Sequence, residues 1–102
     1  MNIQEMMRQA QRMQKKMESV QAEAKNRTVE GSAGGGMVVV TVNGQNEVLS
    51  VRVEKEVVDP DEIEMLQDLI VAATNQAISK ASEMMRDEMQ KVTGGMSLPG
   101  MF

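Results

Sequence analysis

The chain has 102 residues, with 11 Lys and Arg against 15 Asp and Glu, so its formal net charge is −4. This length predicts one small domain with a thin core, because the chain holds one aromatic residue, Phe102, and 12 methionines. The absence of Cys and His excludes disulfides, Cys/His zinc sites, thiol nucleophiles and imidazole bases. We therefore expect no enzyme activity of a familiar acid–base type, no cofactor, no metal and no small-molecule substrate.

Targeting signals and charge are the next constraints. The first five residues lack the apolar segment of a leader peptide, and the longest apolar run, Leu69–Ala73, is far shorter than the ~20 residues of a membrane span. We therefore expect a soluble, cytoplasmic protein without a membrane partner.

Charge is unevenly distributed along the chain. Residues 8–27 hold six basic and two acidic residues, a local charge of +4, whereas residues 54–68 hold seven acidic residues and one lysine, a local charge of −6.

The first predicted element is a long N-terminal helix with a narrow apolar seam. Its apolar residues recur at alternating spacings of three and four, the pattern of a helix that packs along another helix. Neither Gly nor Pro interrupts the pattern. The seam residues that we expect at a helix or dimer contact are Ile3, Met6, Met13, Met17 and Val20.

A small antiparallel sheet is predicted next. The segment Thr28–Gly36 is a candidate short edge strand that ends in a flexible glycine link, and Met37–Val42 is strongly β-branched. Asn43-Gly44 is a strong turn signal, and Glu47–Val53 then alternates apolar and polar residues. A loop of two or four residues places Val38, Val40 and Val42 on one face with Leu49, Val51 and Val53, so we expect an even loop.

A second long helix is predicted from about Pro60 to Val92. Asp59 is its expected N-cap, Pro60 its first residue and Glu62 the residue that reaches back to the cap. Gly94-Gly95 is the expected stop. The core stripe predicted on this helix comprises Ile63, Leu66, Ile70, Ala73, Ala77, Ala81 and Met84, widened by Leu69 and Met85.

The predicted organisation is a single α+β domain over residues 1–93 and a flexible tail over residues 94–102. The helices, about 35 and 50 Å long, exceed strands of about 20 to 26 Å, so the sheet cannot cover their apolar stripes. A second copy of the chain would bury the remainder. We therefore expect a homodimer with projecting helical ends.

The basic face of the first helix is the candidate functional feature. Arg8, Arg12 and Lys15 form a stripe opposite the apolar seam, with Lys16 at its flank. A solvated face and a phosphate-contacting face are both compatible with this pattern. The second helix adds Lys80, Arg86 and Lys91 among acidic neighbours, a weaker candidate surface. The basic region has no aromatic residue for stacking on single strands, which leaves duplex backbone contact as the nucleic-acid interpretation.

Three other patterns have simpler interpretations. Gly31 and Gly36 have the spacing of a phosphate loop, but Met37 stands where Lys is needed and a strand follows, which favours a simple link. The acids of residues 59–68 are typical of a helix N-terminus. Methionines on both helices could form an adaptable groove for apolar clients, so a chaperone or adaptor with Met-rich clasping surfaces is the alternative function, although core packing is the simpler explanation.

Several segments together resemble a known family over essentially the whole chain. They are Met7–Met17, Gly34–Gly44, Val58–Asp61, Glu64–Ala73 and the ending Thr93–Phe102. In order and spacing they resemble the YbaB/EbfC nucleoid-associated proteins.

The resemblance implies an α+β fold with a small antiparallel sheet between two long helices and a tweezer-like homodimer. It also implies a bacterial, nucleoid-associated protein that binds double-stranded DNA and acts in nucleoid organisation and gene regulation. Carried onto this sequence, the leading DNA contacts are Arg8, Arg12, Lys15 and Lys16, followed by Lys80, Arg86 and Lys91.

Overall fold

The computed structural model of the protein describes residues 2–94. The element order is α1 (Ile3–Ala24), β1 (Thr28–Ala33), β2 (Val38–Asn43), β3 (Val48–Val53), a short 3₁₀ helix (Lys55–Val57) and α2 (Ile63–Thr93). Two long helices and a three-stranded antiparallel sheet make this an α+β fold, which confirms the predicted class. The predicted tail lies outside the described residues except for Gly94.

The start of helix α1 is capped by the side chain of the residue before it. The side-chain Oδ1 of Asn2 accepts a hydrogen bond of 2.8 Å from the Glu5 backbone N–H, which satisfies one of the unpaired donors of the first turn. Helical hydrogen bonding then continues without interruption to Ala24. The predicted N-terminal helix is therefore confirmed.

The sheet has the strand order β1-β2-β3, so β2 is central and the predicted edge strand β1 is confirmed. The three glycines between β1 and β2, Gly34 to Gly36, all have positive φ, between 65° and 92°. A side chain rarely adopts this backbone conformation, which explains why glycine occupies all three positions. The predicted flexible link is thus a tight turn that sets Ala33 opposite Val38.

The register of β2 and β3 confirms one part of the prediction and corrects another. Val38 pairs with Val53 and Val40 with Val51, so these four residues share one face of the sheet, as predicted. An irregularity between Thr41 and Val42 then places Val48, and not Leu49, opposite Val42. The connection between the strands has four residues, Gly44 to Glu47, because Asn43 completes β2 and does not start the turn.

Helix α2 starts three residues later than predicted. The Asp59 carboxylate accepts a hydrogen bond of 3.0 Å from the Asp61 N–H, and the Asp59 carbonyl accepts one of 2.9 Å from the Glu62 N–H. These bonds close a separate turn before the helix, so Asp59 and Pro60 are not its cap and first residue. Glu62 is the N-cap position and makes no side-chain capping bond. At the other end, Gly94 stops the helix in the left-handed conformation, as predicted.

The core lies between α2 and the first two strands. Ala73, Ala77 and Ala81 are fully buried against the equally buried Val38, Val40 and Val42 of β2. Gly31 of β1 faces α2 so closely that an added Cβ would overlap the Ala73 carbonyl and the Ala77 N–H. The small alanine side chains thus allow the backbones of α2 and β1 to approach closely, and Gly31 is their counterpart on the sheet. Ile63, at the start of the predicted stripe, is largely exposed.

Helix α1 packs on α2 and not on the sheet. Gln21 and Ala24 share a groove with Met85 and Met89 of α2, and Met13 shares another groove with residues 92–93. The two helices therefore run side by side in opposite directions. We call α1 together with residues 85–93 of α2 the helical arm; the fold measures 69 × 25 × 16 Å.

Candidate nucleic-acid interface

The helical arm holds six of the seven cations that the sequence singled out. Those on α1 are Arg8, Arg12, Lys15 and Lys16, and all four are exposed. Arg86 and Lys91 belong to the part of α2 that completes the arm, and both are exposed. Lys80 is separate from them, because it immediately precedes the buried Ala81 on the part of α2 that covers the sheet.

Three of the four cations of α1 can be assigned to two different sides of the helix. Arg12 and Lys16 line a groove of about 250 Å³ with residues 92–93 at the end of α2. Lys15 lines a different groove with Gln11, Gln14 and Glu18, to which α2 contributes nothing. Arg12 and Lys16 therefore lie beside the negative end of the α2 dipole, whereas Lys15 lies on the outer side of the arm.

Ion pairing distinguishes the cations further. Among residues 2–94 the ion pairs all involve Glu88, which lies 3.0 Å from Arg27 and 3.2 Å from Lys91 between nitrogen and carboxylate oxygen. Lys91 is therefore partly neutralised within its own helix. Within the same described range, no carboxylate lies within 4.0 Å of the cationic groups of the four α1 residues. These four cations are therefore not paired with a carboxylate within the described residues.

Acidic residues are concentrated at the opposite end of the sheet. The root of the arm meets the sheet at Gly44, whose N–H donates to the Ala24 carbonyl over 2.9 Å. The acidic segment of residues 54–68 starts at the other end, where the Glu54 N–H donates to the Met37 carbonyl over 2.9 Å. The basic and acidic regions of the sequence are thus separated by the length of the strands, and the net charge of −4 does not describe the arm.

The root of the arm is fixed by Asn43, a residue whose role sequence reasoning missed. Its side chain is 1% exposed. Its Oδ1 accepts hydrogen bonds from the Gln45 N–H at 2.9 Å and the Glu47 N–H at 3.0 Å. Its Nδ2 donates to the Lys25 carbonyl at 3.2 Å and to the Glu47 carboxylate at 2.8 Å. The amide therefore joins the end of α1 to the β2–β3 turn.

Gly44 completes this junction. An added Cβ would lie 2.8 Å from the Met85 sulfur and 2.9 Å from the Ala24 Cβ. Glycine is therefore required by the meeting of α1, α2 and the turn at one point. The Asn-Gly pair predicts a hairpin turn. No signal in the sequence indicates that α1 and α2 also contact this turn.

The methionines and the apolar seam are only partly covered. Met85 and Met89 line a groove of about 470 Å³ with Gln21, Ala24, Gly44 and Gln45, so the methionines of this groove come from α2 alone. On α1, Val20 and Met13 are half-buried against α2, whereas Met17 is more exposed. Ile3 and Met6 lie beyond the end of α2 and are 75% and 55% exposed.

Two other features are absent from residues 2–94. No group of three acidic side chains in that range converges to hold a metal ion. No helix of the same range is long and apolar enough to cross a membrane.

Comparison with known proteins identifies the chain. The model of the YbaB/EbfC DNA-binding family matches residues 1–96. The chain belongs to this family. The family is one of DNA-binding proteins and not of enzymes, in agreement with the expectation drawn from the missing Cys and His.

Bacterial relatives extend the match over the full length. A nucleoid-associated protein of Clostridium novyi (strain NT) is 54% identical over 102 residues, which cover 100% of this chain and 90% of that protein. A nucleoid-associated protein of Alkaliphilus metalliredigens (strain QYMF) is 54% identical over 101 residues, 99% of this chain and 89% of its own.

A solved structure shows the same fold. The crystal structure of the uncharacterized protein HP0035 from Helicobacter pylori superposes with a TM-score of 0.78 at 20% sequence identity. The match covers 92% of this chain and 99% of that one. The α+β architecture, with its long helices and three-stranded sheet, is therefore found in a distant sequence.

Proposed function

We propose that this YbaB/EbfC family member binds duplex DNA by placing the exposed cations of its helical arm against backbone phosphates. The observation that carries the proposal is that Arg8, Arg12, Lys15 and Lys16 are exposed on one helix, without a carboxylate partner in the described part of the chain. Lysine and arginine that contact phosphates bind without reading sequence. Arg86 and Lys91 are secondary contacts, and Lys80 is the weakest because it lies away from the arm.

The names of two relatives support a proposal about the cellular role. Both are named nucleoid-associated proteins, and both are bacterial. We infer that this chain likewise acts at the nucleoid in the cytoplasm, where it organises DNA and influences gene expression. Contact with phosphates along a helix is suited to such a role, because it permits binding at many sequences.

We further propose that the DNA-binding form is a homodimer. Val48 and Val51 are 50% and 46% exposed, although they pair with the fully buried Val42 and Val40 and share their face of the sheet. Helix α2 packs on β1 and β2 and leaves this part of β3 uncovered. Val71 and Ile78 are also exposed on α2, at heptad spacing. A second copy that covers both apolar surfaces would present two arms to one duplex.

The test of DNA binding is fluorescence anisotropy of a labelled duplex of roughly 25 base pairs, titrated at several salt concentrations. The double variant Arg8→Gln/Lys15→Gln removes two unpaired charges from the arm. We expect its affinity to fall, and to fall by the same factor for duplexes of different sequence. The log–log salt slope should become shallower by about 0.9 for each phosphate that the variant no longer neutralises.

The matched control removes two charges elsewhere. Arg52→Gln/Lys55→Gln changes the net charge equally, but these exposed residues lie on β3 and in the 3₁₀ helix. We expect the control to retain most of the affinity. Equal losses of affinity in both variants would show that net charge, and not the position of the cations, determines binding. Absence of binding by the folded wild-type protein at low salt would overturn the proposed function.

Light scattering after size exclusion tests the dimer separately. Val51→Lys introduces a charge into the uncovered face of β3 and is expected to convert the dimer to monomer. Ser50→Lys, on the opposite face of the same strand, is the control and is expected to remain dimeric. A monomeric wild-type protein would refute the dimer without deciding DNA binding.

A further inference from the structure

The tip of the arm has an apolar surface that α2 does not cover. Helix α2 ends at Thr93, which lies beside residues 9–16 of α1. The seam continues beyond that point, where its members Ile3 and Met6 are 75% and 55% exposed and the adjacent Met7 is 58% exposed. This surface spans about 10 Å from Ile3 to Ala10, at 1.5 Å per residue.

The chain that follows α2 starts beside this surface. Gly94 has φ of 60° and ends the helix in the left-handed conformation, and its N–H still donates to the Gln90 carbonyl over 3.1 Å. The next eight residues, 95–102, contain no charged side chain and include Leu98, Met101 and Phe102. Eight residues reach up to about 26 Å when extended, more than twice the length of the uncovered seam.

We propose that residues 96–102 pack on the apolar tip of α1 and continue the α1–α2 contact past the end of α2. Three observations favour this segment as the occupant: the exposed tip extends the existing helix contact, the segment starts next to it, and both are apolar. The basic stripe is left open, because Arg8 and Lys15 lie across the helix from the seam. The inference does not depend on DNA binding.

The proposed contact has a consequence for the arm. A terminal helical turn without tertiary packing opens readily, because a short helix has little stability of its own. Arg8 lies within these turns. Packing by residues 96–102 keeps the helix around Arg8 formed and so holds one of the proposed phosphate contacts in position.

The first test uses the absence of cysteine from the chain, which makes any disulfide an engineered one. Met6→Cys combined with Met101→Cys is oxidised in dilute solution and compared with Gln11→Cys combined with Met101→Cys. Gln11 lies in the groove on the side of α1 that faces away from α2. A disulfide forms only where the two Cα atoms come within about 7 Å.

We expect an intramolecular disulfide to form at least tenfold faster in the Met6 pair than in the Gln11 pair. Equal rates would show a segment that visits all sides of the helix, and would overturn the proposal. A disulfide between two copies would also overturn it, because a second molecule would then supply the segment that meets the tip.

Hydrogen exchange gives an independent measurement without cysteines. Leu98→Ser/Phe102→Ser changes only the proposed occupant, and we expect amide exchange of residues 3–10 to become at least tenfold faster while residues 73–81 keep their rates. Ser97→Ala is the control and is expected to leave both regions unchanged. Unchanged exchange at residues 3–10 in the double variant would refute the contact.

Discussion

The two ends of α1 are built in opposite ways. At the root of the arm, Ala24 is 2% exposed and meets Gly44 and the buried amide of Asn43. At the tip, Ile3 and Met6 precede the part of α1 that meets the end of α2 and are 75% and 55% exposed. Helix α1 is therefore buried at its C-terminal end and exposed at its N-terminal end. Buried contacts are concentrated where the arm starts, and exposed apolar side chains where it projects.

Removing the Asn43 side chain should have the largest effect. Asn43→Ala leaves the N–H groups of Gln45 and Glu47 and the Lys25 carbonyl without their partner. We expect the free energy of unfolding to fall by about 3 kcal/mol, because several partly buried polar groups lose hydrogen bonds together. Denaturant titration measures it. Asn75→Ala, at an exposed position of α2, is the control, and an equally small change in both variants would contradict the role assigned to the root.

A methyl group at Gly44 tests the close approach at the root. In Gly44→Ala the new Cβ would press on the Met85 sulfur and the Ala24 Cβ, at 2.8 and 2.9 Å. We expect a loss of about 2 kcal/mol, as for overpacking in a filled site. In a double-mutant cycle with Ala24→Gly the two changes should compensate in part, because the second removes one of the clashing atoms. Strict additivity of the two losses would argue against the contact.

The helices and strands could be predicted from the sequence, but the hydrogen-bonded junction at the root of the arm could not. Apolar spacing indicates both helices and the core stripe of α2, and β-branched residues and turn signals indicate the strands. Asn43 could not be predicted, because its partners at Lys25 and Glu47 become neighbours only after α1 and the β2–β3 turn have met. The start of α2 was placed too early for a related reason: Asp59 is a good cap, but its carboxylate closes the preceding turn.

The candidate interface was predictable to a similar extent. The spacing of Arg8, Arg12 and Lys15 predicts one stripe opposite the apolar seam, whereas the structure places Arg12 beside the end of α2 and Lys15 on the outer side of the arm. Their separation from Lys80, the pairing of Lys91 with Glu88 and the position of Arg12 and Lys16 beside the end of α2 required the packing of the two helices. The spacing of residues predicts which of them share a face of one helix. It does not predict which residues of a second helix pack beside that face.

The ion pair between Arg27 and Glu88 should contribute less than the root. Its nitrogen and oxygen lie 3.0 Å apart, but the Arg27 side chain is 44% exposed. Exposed pairs are screened by water and salt, so Arg27→Gln should lower the free energy of unfolding by about 0.5 kcal/mol at low salt. Thermal unfolding at two salt concentrations measures it. A loss that persists in high salt would show that Arg27 acts by packing.

The smallest effect on global stability is expected at the tip. In Met6→Ser the free energy of unfolding should change by less than about 0.5 kcal/mol, because residues 3–10 can open without disturbing the core around Ala77. Amide exchange at those residues should nevertheless become faster, since Met6 is the centre of the surface that we assign to residues 96–102. Met7→Ser, farther around the helix from the line of α2, should have a weaker effect on exchange. If Met6→Ser instead destabilised the whole fold as strongly as Asn43→Ala, the tip would belong to the same cooperative unit as the root, and the contrast between the two ends of α1 would be lost.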